Sequence, residues 1–175
     1  MARISYVDDE HLSPEAQEIF NVKLKGKPRN SQRMLAHRPE ILKTFIDFFM
    51  SVGQGIDRRI YELVYIRVSM LNRCNYCLQH HLANSKRVGL TEKDWQGLKR
   101  PEDADFTSKE KTALTFAEKL TRTPWDVSEA DFEELKKFFT EAEILELNMT
   151  AALANLTNRF TGPFGLELEI PEQKL

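Results

Sequence analysis

The chain has 175 residues, a formal net charge of −2 and a pI near 6.1, so it lacks the basic footprint of a nucleic-acid binder. No run approaches the roughly 18 apolar residues of a membrane span, and MARISYVDDEHLSPEAQEIF has neither the apolar stretch nor the cleavage site of a secretory signal. The expectation is one cytoplasmic domain over residues 1–175, with an N-terminal extension (1–38), a core (40–160) and a tail (162–175), large enough to bury its own interior.

In chain order, Ser13-Pro14-Glu15 is a helix start with serine as N-cap and proline in the first turn, leading into a short, polar-faced helix that ends near Gly26. The basic run KLKGKPR (Lys23 to Arg29) holds a glycine and a proline and reads as a solvated loop rather than a nucleic-acid patch. A second helix begins at Pro39 and runs through ILKTFIDFFMSVG, with Ile41, Leu42, Phe45, Ile46, Phe48 and Phe49 on a wide apolar face. Aromatic stripes at helical spacing usually pack in a core, with Phe48, Phe49 and Met50 the candidates for lining a substrate pocket. Gly53 and Gly55 end that helix and Asp57 caps the next.

The run IYELVYIRVSML is apolar on nearly every side, as expected of a buried helix, yet it contains Glu62. Two readings fit: an ion pair with Arg58 or Arg59, at i−4 and i−3, or a carboxylate facing the cysteines that follow and accepting protons in a relay. Those are Cys74 and Cys77, the only two in the chain, with His80 and His81 just beyond. Positions 74, 77 and 81 share one face of a helix, where a disulfide could open and close with little backbone movement. An N-cap at Asn72 or Arg73 would place Cys74 in the first turn, where free amides favour a thiolate, whereas His81 stands one turn from Cys77 and can take its proton. The two cues disagree on which sulfur attacks.

Beyond Gly89, a C-cap, Thr91 opens a short helix, and Pro101 to Phe106 is an acidic linker. Ser108 should N-cap KEKTALTFAEKLTR, whose stripe is Ala113, Leu114, Phe116, Ala117 and Leu120, and Pro124 stops it. Ser128 with Asp131, then Thr140 with Glu143 as a capping box, start the last two helices. In the final one, Asn148, Asn155, Asn158 and Arg159 interrupt small and apolar residues and read as structural or interfacial. The tail GPFGLELEIPEQKL is expected to be non-helical at its start and to fray or pack on a neighbouring subunit. About eight helices and no alternating strand give an all-α bundle.

Glu62-x11-Cys74-x2-Cys77-x3-His81, set in ELVYIRVSMLNRCNYCLQHH, resembles the active-site signature of the alkyl hydroperoxidase D family within the carboxymuconolactone decarboxylase superfamily. AEKLTRTPWDVSEADFEELKKFF and EILELNMTAALANLTNRF resemble that family's C-terminal helices, so the likeness runs from about Glu40 to Phe160. It implies an all-α homo-oligomer, trimeric or hexameric, that reduces hydrogen peroxide or organic hydroperoxides with Glu62, Cys74, Cys77 and His81. Cys77 would be peroxidatic and Cys74 resolving, an external dithiol of lipoyl type would reopen the disulfide, and no bound cofactor or metal would be needed. Some members carry a histidine between the cysteines where Tyr76 stands here, so any auxiliary role is lost or moved to His80.

Several alternatives stand beside this. A zinc site from Cys74, Cys77, His81 and His80 or Glu62 lacks the usual second ligand pair. Leu78 after Cys77 disfavours a c-type haem. A decarboxylase of the same superfamily has no use for a dithiol, and a non-enzymatic redox sensor or assembly subunit would oxidise only once.

Overall fold

The computed structural model describes residues 2–175, and among them the chain folds into nine α-helices with short 3₁₀ turns and no strand. The helices are α1 (Pro14–Glu18), α2 (Asn30–Leu35), α3 (Pro39–Ser51), α4 (Arg58–Leu71), α5 (Asn75–Ser85), α6 (Glu92–Gly97), α7 (Ser108–Arg122), α8 (Glu129–Lys136) and α9 (Glu141–Thr161).

Helix α4 is the axis of the bundle. Its Asp57 cap accepts from the amides of Arg59 and Ile60, and Leu63, Val64, Ile66 and Val68 are all completely buried. Each such burial stabilises the fold by about 1.5–3 kcal/mol, enough for this one helix to organise three neighbours. It packs against α5, α7 and α9. One interior forms with α7, α8 and α9 around Leu135, Leu147 and Ala151, and a second with α5, α6 and α7 around Leu82, Trp95 and Leu114. Leu147→Ala is expected to cost about 2–5 kcal/mol, read as a lower urea midpoint at unchanged slope. No helix of the described residues is long and apolar enough to cross a membrane.

Several boundaries differ from the sequence reading. The first helix continues through a π-helical turn, Ile19–Lys23, and its faces are not polar: Ala16, Ile19 and Phe20 pack on Leu42 and Ile46 of α3. Helix α2, too short for an apolar period, has no counterpart in the sequence reading. Thr107 rather than Ser108 caps α7, in a box with Glu110. After a 3₁₀ turn the tail folds back over α5 of its own chain, where the Gln173 amide donates to Gln79 and Lys86 to the Gln173 side chain.

Only at Gly53, where α3 gives way to α4, does a backbone demand glycine next to the site. Its φ is +83°, and a Cβ there would stand 2.3 Å from the Tyr61 ring.

Candidate active site

The link between α4 and α5 sets the position of the first sulfur. Helix α4 closes with the Cys74 amide donating to Ser69 O at 3.0 Å and that of Arg73 to Met70 O at 3.1 Å, which forces Arg73 into the left-handed region at φ +55°. Cys74 therefore is the N-cap of α5, not a first-turn residue, and neither Asn72 nor Arg73 caps that helix. Cys77 follows in the first turn and His81 one turn beyond it.

Both cysteines are free and buried. The Thr161 hydroxyl, from the last turn of α9, lies 3.3 Å from the Cys74 sulfur and 3.2 Å from that of Cys77, while donating to Thr157 O at 2.8 Å. The thiols titrate as a unit. A hydrogen bond from the Cys77 thiol, opposed by burial and aided by Thr161 and the amides of Cys77 and Tyr76, lowers the Cys74 thiol to about 6. The same hydrogen bond, together with burial, pushes the Cys77 thiol well above its ordinary value. The pair thus holds one proton near neutral pH. Thiolate absorbance near 240 nm is expected to rise through about pH 6 as one proton leaves, and to do so at higher pH in Cys77→Ala, where the donor to Cys74 is gone.

Glu62 projects from α4 into the same region and is almost fully buried, with Oε2 2.7 Å from His81 Nδ1. The ion-pair reading of Glu62 also finds support, since Arg58 stands 3.8 Å from Oε1, while Arg59 is turned away to Glu110 and Asp94 at 2.7 Å each. Burial holds His81 below its usual value and Glu62 offsets this only in part, so the ring is neutral at pH 7. With Nδ1–H donated to the carboxylate, Nε2 is left as an acceptor. The ring lies flat on Tyr65, centroids 3.6 Å apart and planes 11° apart, and Tyr65 is itself fixed by a 2.6 Å hydrogen bond to Thr157.

A cavity of about 300 Å³ opens onto this group: Glu62, His81 and Cys77 line it, Cys74 does not, and Phe45, Phe49 and Met50 form part of its apolar wall. Phe48, the third pocket candidate, lies outside that lining and is partly exposed. His80 and Tyr76 also line the cavity, but their polar atoms bond the tail: His80 Nε2 is 3.0 Å from Glu169 and the Tyr76 hydroxyl donates to Glu169 at 2.7 Å. Asn158, read as structural, sits beside the sulfurs: its amide donates to Ser69 at 3.1 Å, it accepts from Asn72 at 3.0 Å, and it eases the upward push on the Cys77 thiol.

Sequence reasoning did not single out Thr161 or Tyr65. Thr157 and Thr161, at i and i+4 near the end of α9, were the only available hint of a polar face there. Among the described residues no group of three or more His, Cys, Asp or Glu side chains is disposed to hold a metal ion, because Glu62 and His81 pair with each other and His80 is turned to the tail.

The model of the carboxymuconolactone decarboxylase family matches residues 39–119, which span α3 to most of α7. Uncharacterized protein YdfG of Bacillus subtilis (strain 168) is 29% identical over 130 residues, 73% of this chain and 88% of its own. An uncharacterized peroxidase-related protein from Ralstonia eutropha JMP134, described as an alkylhydroperoxidase AhpD core, superposes with a TM-score of 0.85 at 25% identity, covering 95% of this chain and 91% of that one. An uncharacterized peroxidase-related protein from Silicibacter sp. TM1040 superposes at 0.77 with 26% identity, over 94% and 89%.

Proposed function

We propose that this protein, similar over residues 39–119 to the carboxymuconolactone decarboxylase family and in fold to an alkylhydroperoxidase AhpD core, is a thiol-dependent peroxidase of that superfamily of enzymes. The observation that carries the proposal is that Cys77, His81 and Glu62 line one cavity while Cys74, the sulfur with the lowered pKa, is absent from that lining. This supports giving the attacking role to Cys77 and the resolving role to Cys74, which helix position alone left open.

In the resting pair Cys74 is the thiolate and Cys77 carries the shared proton. Transfer of that proton to Cys74, or to His81 Nε2, uncovers the Cys77 thiolate at the cavity wall. It attacks the distal peroxide oxygen, the O–O bond breaks, and a sulfenic acid remains on Cys77. The departing alkoxide takes up the displaced proton and leaves as an alcohol, or as water when the substrate is hydrogen peroxide. Cys74, again a thiolate, attacks the Cys77 sulfur and closes the disulfide. The expelled hydroxide is neutralised by a proton from solvent. An external dithiol returns two electrons and two protons by exchange through a mixed disulfide.

Thr161 suits both halves, because its hydroxyl reaches either sulfur from one position. No bound cofactor or metal enters this scheme. Assembly into a trimer or hexamer belongs to the same proposal, and the exposed Leu145, Leu156, Phe48 and Met50 are apolar surface that such contacts would cover; scattering in solution gives the number of subunits.

The test is stoichiometry. With a dithiol reductant present, repeated consumption of hydrogen peroxide or an organic hydroperoxide is expected. Consumption that stops at one equivalent per chain would mark a sensor instead.

A further inference from the structure

The basic run that reads as a solvated loop in the sequence lies at the cavity, and two of the charges it brings there make no ion pair among the described residues. Lys23, Lys27, Arg29 and Arg58 all line the cavity, against one lining carboxylate, Glu62. Two of the four cations are committed. Lys23 is paired with Asp47. Arg58 lies over the Tyr61 ring at 4.3 Å, donates to Gly53 O at 3.3 Å and faces Glu62. Arg29, half-buried, and Lys27, exposed, make no ion pair among the described residues, while Glu62 is occupied by His81. The field of Arg29 nonetheless reaches the far wall, where it bears on both His81 and Tyr61.

The loop that presents these two cations is held in place. The Gly26 amide bonds Phe20 O at 2.9 Å, that of Lys27 bonds Leu24 O at 3.0 Å, and that of Arg29 bonds the Gln32 side chain at 2.7 Å. Pro28 further restricts both its own backbone and that of Lys27. An unpaired guanidinium on a fixed loop is ready to receive an anion without reordering. The remaining wall, with Leu24, Phe45, Ile46, Phe49 and Phe160, is apolar, and 300 Å³ holds roughly ten non-hydrogen atoms at about 30 Å³ each.

We propose that Arg29 and Lys27 form an anion-recognition subsite at this cavity, so that the protein selects ligands with a short apolar chain ending in a carboxylate or a similar single negative charge. The choice of such ligands as substrates rests on the peroxidase reading above; their binding does not. Both the hydroperoxide and the dithiol that reopens the disulfide could carry this chemistry.

Binding is measured first, with redox-inert probes on the reduced full-length protein. Octanoate and octanol, which share a chain and differ in charge, are titrated by calorimetry at low and high salt. Octanoate is expected to bind about tenfold more tightly at low salt, with the gap narrowing as salt rises. In the Arg29→Gln/Lys27→Gln double variant that preference disappears while octanol affinity stays the same. Equal affinities in the wild type, or a preference that survives in the double variant, would overturn the subsite. Should the double variant lose octanol as well, Arg29→Lys and Lys27→Arg decide: retention of the preference supports recognition by charge, and its loss overturns it.

Kinetics then locates the source. A hydroperoxide acid against its methyl ester, and a dithiol acid against its amide, separate substrate from reductant by whichever KM depends on Arg29 and Lys27. If neither depends on them, the subsite has no part in turnover. A protein that prefers octanoate but turns over no peroxide would sink the peroxidase reading and leave the anion subsite standing.

Discussion

Cys77→Ser is expected to lower peroxide turnover by about 10³-fold or more, whereas Cys74→Ser leaves one round of chemistry intact. The asymmetry follows from position. Cys77 lines the cavity and Cys74 does not, so a peroxide bound there is expected to meet Cys77 first. With Cys74 absent, Cys77 can still be oxidised once, and its sulfenic acid persists because nothing resolves it. A sulfenic-acid trap followed by mass spectrometry should therefore label Cys77 in Cys74→Ser at near one equivalent, and find little on Cys74 in Cys77→Ser. Label appearing mainly on Cys74 would reverse the two roles. The lowered value of Cys74, about 6, is the one cue in favour of such a reversal. A thiolate outside the cavity lining is instead suited to the resolving step, where its target is the neighbouring sulfur. Folding should not confuse the comparison, since serine is a near-isostere and Thr161 remains to accept its hydrogen bond.

The same residues show how far a sequence carries. Glu62, Cys77 and His81 were legible because their relations are local: Cys77 and His81 are one turn apart on α5, and the apolar run around Glu62 marks it as a buried acid. The helix order was legible for a similar reason: the helix start framed by Ser128 and Asp131 and the capping box of Thr140 and Glu143 stand in the structure where they were expected. Cys74 was misplaced by one position because its turn is closed by Arg73 in a left-handed conformation, where a glycine would have announced the helix end. Thr161, Tyr65 and Arg29 reach the site from other elements through tertiary packing, and no periodicity reports which distant helix or loop end will meet which. The polar asparagines of α9 were visible as a pattern, but the pattern could not say that Asn158 lies beside the sulfurs while Asn155 bonds Thr121 at 3.1 Å.

Glu62→Gln is expected to reduce kcat/KM by about 10²-fold while leaving the fold intact. In the native site the carboxylate can only accept, so it fixes the proton of His81 on Nδ1 and leaves Nε2 free as a base. A glutamine amide can accept from Nδ1–H or donate to a bare Nδ1, and the second arrangement puts the proton on Nε2, where the ring can no longer take one from the sulfur pair. The charge matters as well. Glu62 is the group that raises His81 against the downward pull of burial, so its loss should move the imidazole titration to lower pH still. An NMR titration of the His81 ring reads that shift directly, independently of turnover. The substitution is close to isosteric and leaves the guanidinium of Arg58 with its contacts to Tyr61 and Gly53, so urea stability should change by only about 1 kcal/mol. An unchanged kcat/KM, with the His81 titration displaced as expected, would show that the imidazole senses Glu62 but that protons in this reaction travel by way of the two sulfurs and Thr161 alone.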